Sequence, residues 1–204
     1  MNVKKFNFMD FSTVQIFEKK IASFFGAPYA VAFDSCTHGI EACLYLTNAN
    51  KIIVPRRTYV SIPFLAKKLN ISLEWKDENW KDYYYITDKI IDAAVLWKKN
   101  SFINGTFMSL SFQFQKHLSL GRGGAVLCSN EDEYDALKRL SYDGRMPGIP
   151  WRDQDIKSFG LHYYMTPETA QMGIEKLEKA IKTTPKDWKI LDWPDVSLLT
   201  VFKS

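Results

Sequence analysis

A lysine followed closely by glycines is the most reactive-looking feature of the chain. Lys116 lies within residues 109–128, SLSFQFQKHLSLGRGGAVLC, and Gly121, Gly123 and Gly124 follow it. Glycine permits positive φ angles and lets backbone approach a ligand closely, so this spacing is unusual for a surface lysine. Burial lowers the pKa of a lysine amine and frees the lone pair that Schiff-base formation with an aldehyde cofactor needs. A lysine in a polar hairpin between glycines is the alternative interpretation.

A carboxylate at the end of an apolar strand is the second candidate. Asp92 lies in the run IIDAA at residues 90–94. Burying a carboxylate is costly unless it meets a cation, and the protonated ring nitrogen of a cofactor is such a cation. The alternative is a strand-end aspartate that faces solvent or caps the next turn.

A small polar turn between an apolar strand and a helix is a third candidate, for phosphate binding. The turn contains Cys36, Thr37 and His38. Strand, turn and helix in this order direct free backbone N–H groups and the positive helix end toward an anion. A simple N-cap by Ser35 or Thr37 explains the same residues.

The elements that must position these residues alternate between short apolar strands and amphipathic helices. Helices are predicted near residues 12–25, 40–46, 62–69, 131–140 and 166–181, and strands near residues 29–33, 51–54, 71–75, 83–86, 89–94 and 106–112 and from residue 124. This alternation predicts an α/β protein with a mainly parallel sheet flanked by helices.

Composition indicates a soluble globular protein and disfavours several classes of function. The 204 residues are 46% hydrophobic, and the net charge of +4 suits an anionic small ligand but provides no basic stripe for nucleic acid. Three histidines without ligand spacing predict no metal site, and no apolar run is long enough for membrane insertion. An odd set of three cysteines predicts a reducing cytoplasm rather than a disulfide framework.

Together these segments resemble the DegT/DnrJ/EryC1/StrS sugar aminotransferases, which are pyridoxal-phosphate enzymes of the aspartate aminotransferase fold. The similar motifs are Ser111-Phe112-x-x-x-Lys116-x-x-x-x-Gly121-x-Gly123-Gly124, Asp92-Ala93-Ala94 and Pro55-x-x-Thr58-Tyr59. The resemblance implies pyridoxal 5′-phosphate as cofactor. Lys116 would bond its aldehyde and move the substrate proton, Asp92 would pair with its ring nitrogen, and Tyr59 would stack on its ring. The remaining implied cofactor contacts are Cys36, Thr37, His38, Ser111 and His162.

Several positions depart from the family pattern. The family usually has an acidic residue at Arg122 and often a glutamine at Val95. Residues 160–166 resemble a family segment whose asparagine reaches the cofactor phosphate of a neighbouring subunit. His162 stands in the place of that asparagine, and Tyr164 stands in the place of an arginine. A structural histidine held by a hydrogen bond is the favoured alternative interpretation of His162.

The resemblance also implies a reaction and an assembly. An amino group would pass from an amino acid, glutamate, to a keto sugar carried by a nucleotide, in a homodimer with shared active sites. Residues 1–184 would form a reduced cofactor-binding large domain, and residues 185–204 a C-terminal tail that is a remnant of the family's small domain. Three alternatives remain open: a cofactor-binding or regulatory homologue without turnover, another pyridoxal-phosphate reaction such as racemisation or elimination, and an α/β interaction module.

Overall fold

Strands and helices alternate along most of the chain. The computed structural model describes residues 10–203, so the outer ends of the two expected domains, residues 1–9 and 204, lie outside it. The helices are α1 (Phe11–Phe25), α2 (Cys36–Leu46), α3 (Ser61–Leu69), α4 (Glu131–Ser141) and α5 (Pro167–Lys182). The strands are β1 (Tyr29–Phe33), β2 (Lys51–Pro55), β3 (Ser72–Lys76), β4 (Tyr84–Tyr85), β5 (Ile90–Asp92), β6 (Phe107–Ser111) and β7 (Gly124–Cys128). No helix within residues 10–203 is both long enough and apolar enough to span a membrane.

The main sheet is mixed, which refines the expectation of a mainly parallel sheet. Its strand order is β1-β7-β6-β5-β4, and β5 and β6 are its parallel pair. The other neighbours in this sheet run antiparallel, and β2 and β3 form a separate parallel pair. Parallel neighbours need a crossover connection. Residues 86–89 are too few for one between β4 and β5, and residues 112–123 contain no helix between β6 and β7. The predicted α/β class is confirmed.

Helices cover both faces of the main sheet. Alternate residues of β1 point to opposite sides, because successive side chains of a strand do so. Ala30 and Ala32 pack in the core that contains α1 and α5, whereas Val31 and Phe33 pack in the core that contains α2, α3 and α4. The sheet is therefore buried between two helical layers.

Residues 185–203, hereafter the C-terminal segment, pack against the loop between β2 and α3. The Val196 N–H donates to the Arg56 carbonyl at 2.9 Å, and the Val196 side chain is buried. The Phe202 ring lies 5.3 Å from the Phe64 ring and 5.4 Å from the Trp75 ring. This segment is therefore docked on the body of the molecule.

Candidate active site

A cavity of about 340 Å³ lies where β5 and β6 end, beside the start of α2. Because these strands are parallel, their carboxyl ends meet at one edge of the sheet, a common location for ligand sites in α/β proteins. Every site residue predicted from the sequence except His162 lines the cavity: Cys36, Thr37, His38, Tyr59, Asp92, Ser111 and Lys116. The fold therefore gathers residues from four separate stretches of the chain.

Lys116 projects from the loop between β6 and β7. This loop is fixed by backbone hydrogen bonds, including Phe112 N–H to the Gly123 carbonyl at 2.9 Å and Lys116 N–H to the Gln113 carbonyl at 2.8 Å. The Lys116 side chain is half-buried. Burial lowers the pKa of the amine, against the attraction of Asp92 and Cys36, which favours the ammonium form. The loop thus holds an amine that is easier to deprotonate than an ordinary lysine.

Asp92 is held at the carboxyl end of β5 by two hydrogen bonds. It is 6% exposed. The Tyr84 hydroxyl donates to its Oδ2 at 2.7 Å, and the Ala94 N–H donates to its Oδ1 at 2.9 Å. Burial raises the pKa of Asp92, while both hydrogen bonds and the attraction of Lys116 favour the carboxylate. Asp92 is therefore a buried acid with a satisfied hydrogen-bonding shell.

Tyr84 and Thr58 extend the hydrogen bonding of Asp92; the sequence motifs included Thr58 without a role and did not indicate Tyr84. The Tyr84 hydroxyl lies 2.6 Å from the Thr58 hydroxyl, and both residues are buried. Burial raises the pKa of Tyr84 well above its ordinary value, so the hydroxyl keeps the proton that it donates to Asp92. The available signal was the tyrosine triplet at residues 83–85, because a strand turns the middle residue of three to the opposite face.

The start of α2 also lines the cavity. It presents hydrogen-bond donors, whereas Asp92 presents a carboxylate. Ser35 caps the helix, and its Oγ accepts the His38 N–H at 3.2 Å. The N–H groups of Cys36 and Thr37 belong to the first turn, where no earlier helical carbonyl is available to accept them. The Thr37 hydroxyl lies 2.7 Å from the Ser61 hydroxyl. Free N–H groups, hydroxyls and the positive end of a helix suit an anion.

Glycine at position 124 permits the close approach of β7 to α2. A Cβ atom at Gly124 would lie 2.4 Å from the backbone nitrogen of Cys36. Any side chain here would push the start of α2 away from the strand. Gly124 therefore shapes the end of the cavity at the start of α2.

Asp34 joins two other side chains at the edge of the cavity near His38. Asp34 Oδ1 lies 2.5 Å from His38 Nδ1, and Arg122 Nη2 donates to Asp34 Oδ2 at 2.9 Å. The His38 ring stacks on the Tyr163 ring at 3.7 Å between centroids. Arg122, which departs from the family pattern, therefore has an acidic neighbour that balances its charge.

The side walls of the cavity are largely aromatic and apolar. Tyr59 lies just before α3 and is 56% exposed. Val95 lines the wall, so the position that is often glutamine in the family is apolar here. Trp80 and Trp193 also line it, and neither was indicated by the sequence. Trp193 comes from the C-terminal segment, which therefore contributes directly to the cavity.

His162 lies outside the cavity of its own chain. Its side chain is 70% exposed, and its Nδ1 lies 3.0 Å from Asp143 Oδ2. Contact between His162 and a cofactor phosphate stays a prediction that would need a neighbouring subunit.

The chain is an α/β protein with a cavity at the carboxyl ends of two parallel strands. The family model for the DegT/DnrJ/EryC1/StrS aminotransferase family matches residues 4–104 and 98–192, and the chain belongs to this family. A comparison with curated proteins gives no match.

Solved structures of several bacterial proteins are similar in fold. AtS13 from Actinomadura melliaura is 20% identical with a TM-score of 0.73, and the match covers 83% of this chain and 60% of AtS13. The sugar aminotransferase CalS13 from Micromonospora echinospora is 15% identical with a TM-score of 0.70, covering 83% of this chain and 61% of CalS13. PseC from Helicobacter pylori, an aminotransferase involved in the biosynthesis of pseudoaminic acid, is 16% identical with a TM-score of 0.67, covering 82% and 58%. The chain thus spans less than two thirds of the length of these proteins, and at these identities the likeness establishes the fold.

Proposed function

We propose that the chain is a pyridoxal-phosphate-dependent aminotransferase that moves an amino group from an amino acid, glutamate, to a keto sugar carried by a nucleotide. The observation that carries this proposal is that the Lys116 amine and the buried Asp92 carboxylate line one cavity. Membership of the aminotransferase family supports the reaction class. The donor and the acceptor are proposed from the family resemblance.

The residues that line the cavity fit pyridoxal 5′-phosphate in their chemistry. Asp92 is a buried carboxylate, which a protonated ring nitrogen would neutralise. The start of α2, with the hydroxyls of Thr37 and Ser61, suits a phosphate. Tyr59 offers a ring face for stacking, worth roughly 1 kcal/mol. A cavity of about 340 Å³ also falls within the range of small-molecule sites.

When bound, the cofactor supplies an electron sink for the carbon that loses its proton. Lys116 accepts that proton as general base and returns it as general acid, a role for which a lowered amine pKa is suited. Tyr84 and the Ala94 N–H stabilise the ionised form of Asp92, which would favour a protonated ring nitrogen in a bound cofactor. The indoles of Trp80 and Trp193 line the cavity and would leave less room for water beside a bound cofactor.

Covalent trapping tests the cofactor part of the proposal. Purified protein would be mixed with pyridoxal 5′-phosphate and reduced with borohydride, and the added mass would be located by peptide mass spectrometry. We expect the label on Lys116 and none in Lys116→Ala. Lys176→Ala is the matched control, because Lys176 is exposed and donates to the Ser119 carbonyl away from the cavity. Wild-type protein with no label on Lys116 would refute the proposal.

The half-reaction with glutamate tests turnover. We expect 2-oxoglutarate to form in a single equivalent, together with the spectrum of the pyridoxamine form. The second candidate function is a homologue that binds the cofactor without turnover, and the apolar Val95 in the cavity wall favours it. Trapping on Lys116 without 2-oxoglutarate would support this second candidate and exclude the first.

We also propose a cytoplasmic homodimer with shared active sites. The exposed His162, which lies outside its own cavity, supports a shared site. Three buried free cysteines support a reducing compartment. Sedimentation of the full chain at micromolar concentration should give a dimer, and a monomer there would contradict the shared site.

A further inference from the structure

Two tryptophans of the C-terminal segment lie against the Lys116 amine. The Nζ atom is 4.7 Å from the centroid of the Trp188 ring and 5.3 Å from the centroid of the Trp193 ring. The two indoles stack on each other at 5.5 Å with an angle of 19° between their planes. Both distances are within the range in which the negative face of an indole attracts a cation.

This aromatic contact is anchored to the body of the molecule by Arg57. The Arg57 guanidinium donates to the Trp193 carbonyl at 2.8 Å. The Arg57 carbonyl accepts the Trp80 indole N–H at 2.8 Å, and the Trp80 and Trp193 rings lie 6.0 Å apart. Arg57 therefore holds both Trp193, which contacts the amine, and Trp80, which packs near Trp193. Contacts within the folded chain therefore fix the position of Trp193.

We propose that Trp188 and Trp193 are positioning residues that hold the Lys116 side chain against the cavity wall as an ammonium ion. Bonding to an aldehyde and accepting a proton both require a neutral amine, so the aromatic contact stabilises the charged, unreactive form of Lys116 in the cofactor-free chain. The importance of this contact for reactivity rests on the proposed function, whereas the contact itself does not. The C-terminal segment thereby adjusts the charge of a residue on the β6–β7 loop.

Other groups act on the same amine from several elements. Burial and Lys186 of the C-terminal segment, whose Nζ lies 3.7 Å from the Trp188 ring centroid, oppose the ammonium, and burial is the larger influence; Asp92 of β5 and Cys36 of α2 favour it. The further titratable or charged groups on the cavity wall are His38, Tyr59 and Arg122. Burial disfavours the charge, and contact of Nζ with the two indole faces acts in the opposite sense.

Competitive acylation of the cofactor-free full chain tests this inference. A trace of acetic anhydride would be added across a range of pH, and the acetylation of Lys116 would be quantified by mass spectrometry. The variants are Trp188→Leu and Trp193→Leu, each compared with the corresponding phenylalanine variant. Leucine keeps an apolar cover but has no ring face, whereas phenylalanine keeps the ring face. We expect the midpoint of Lys116 reactivity to lie about half a pH unit lower in each leucine variant than in its phenylalanine partner.

Trp151→Leu is the matched control, because Trp151 is 67% exposed and does not line the cavity. It should titrate as wild type. Equal midpoints in the leucine and phenylalanine variants would overturn the inference. If Trp193→Leu does not fold, as judged by near-ultraviolet circular dichroism, the Trp188 pair decides. Acylation needs no cofactor, so failure of the trapping experiment would refute the proposed function without altering this result.

Discussion

Replacement of Tyr84 by phenylalanine should lower the free energy of unfolding by an amount that depends on pH. The change removes the hydroxyl that donates to Asp92 Oδ2 at 2.7 Å and leaves the Ala94 N–H as the remaining donor to this buried carboxylate among residues 10–203. A hydrogen bond to a charged group contributes roughly 1.5–3 kcal/mol. The pKa of Asp92 should therefore rise further above its ordinary value than in the wild type.

The sign of the pH dependence follows from the direction of the Asp92 pKa shift. Burial already raises this pKa above the ordinary value of 3.8, so the folded chain binds the proton more tightly than the unfolded chain. The stabilising contribution of the protonated acid is fully present below the unfolded pKa and is lost as pH rises through the folded pKa. Tyr84→Phe moves the folded pKa upward and makes this loss larger at neutral and alkaline pH.

Urea unfolding of both proteins at about pH 8 and about pH 5 measures the effect. Tyr84→Phe should lose roughly 1.5–3 kcal/mol of unfolding free energy at the higher pH and less at the lower pH. Tyr85→Phe is the matched control, since Tyr85 is 44% exposed and should change stability by less than about 0.5 kcal/mol. A loss that is the same at both pH values, or no larger than that of Tyr85→Phe, would refute the reasoning.

Three further substitutions test the site and its frame. Asp92→Asn should still trap the cofactor on Lys116 but slow the glutamate half-reaction about 100-fold or more, and an unchanged stopped-flow rate would remove Asp92 from the mechanism. Gly124→Ala should cost roughly 1–3 kcal/mol in urea unfolding and weaken cofactor binding in an absorbance titration, because its Cβ would meet the backbone nitrogen of Cys36; wild-type affinity would contradict this. Lys138→Met should cost about 3–5 kcal/mol in thermal unfolding, since the buried Glu18 loses its ion pair. Adding Glu18→Gln should restore much of that loss, and no recovery would show that the charge was not its cause.

Local patterns were sufficient to predict most of the candidate site. An apolar strand followed by a short polar turn identified the ends of β1 and β5, and the glycines after Lys116 identified a loop rather than a helix. Strand direction was harder to predict because it depends on pairings between distant segments. The pairing of Tyr29 with Cys128 joins β1 to β7 antiparallel, and no local pattern near either residue specifies it.

The residues that contact Asp92 and Lys116 could not be predicted from the sequence, for a different reason. A Schiff-base lysine must be a lysine, so chemistry restricts the residue type and a motif can be recognised. A buried carboxylate, by contrast, needs only some donor at the right distance, and Tyr84 meets that need through geometry alone. The same holds for Trp193, whose contact with Lys116 obeys no spacing rule because it joins two loops across the fold. Residue type therefore identifies the side chain that is able to react. The charge state of that side chain depends on contacts that exist only after folding.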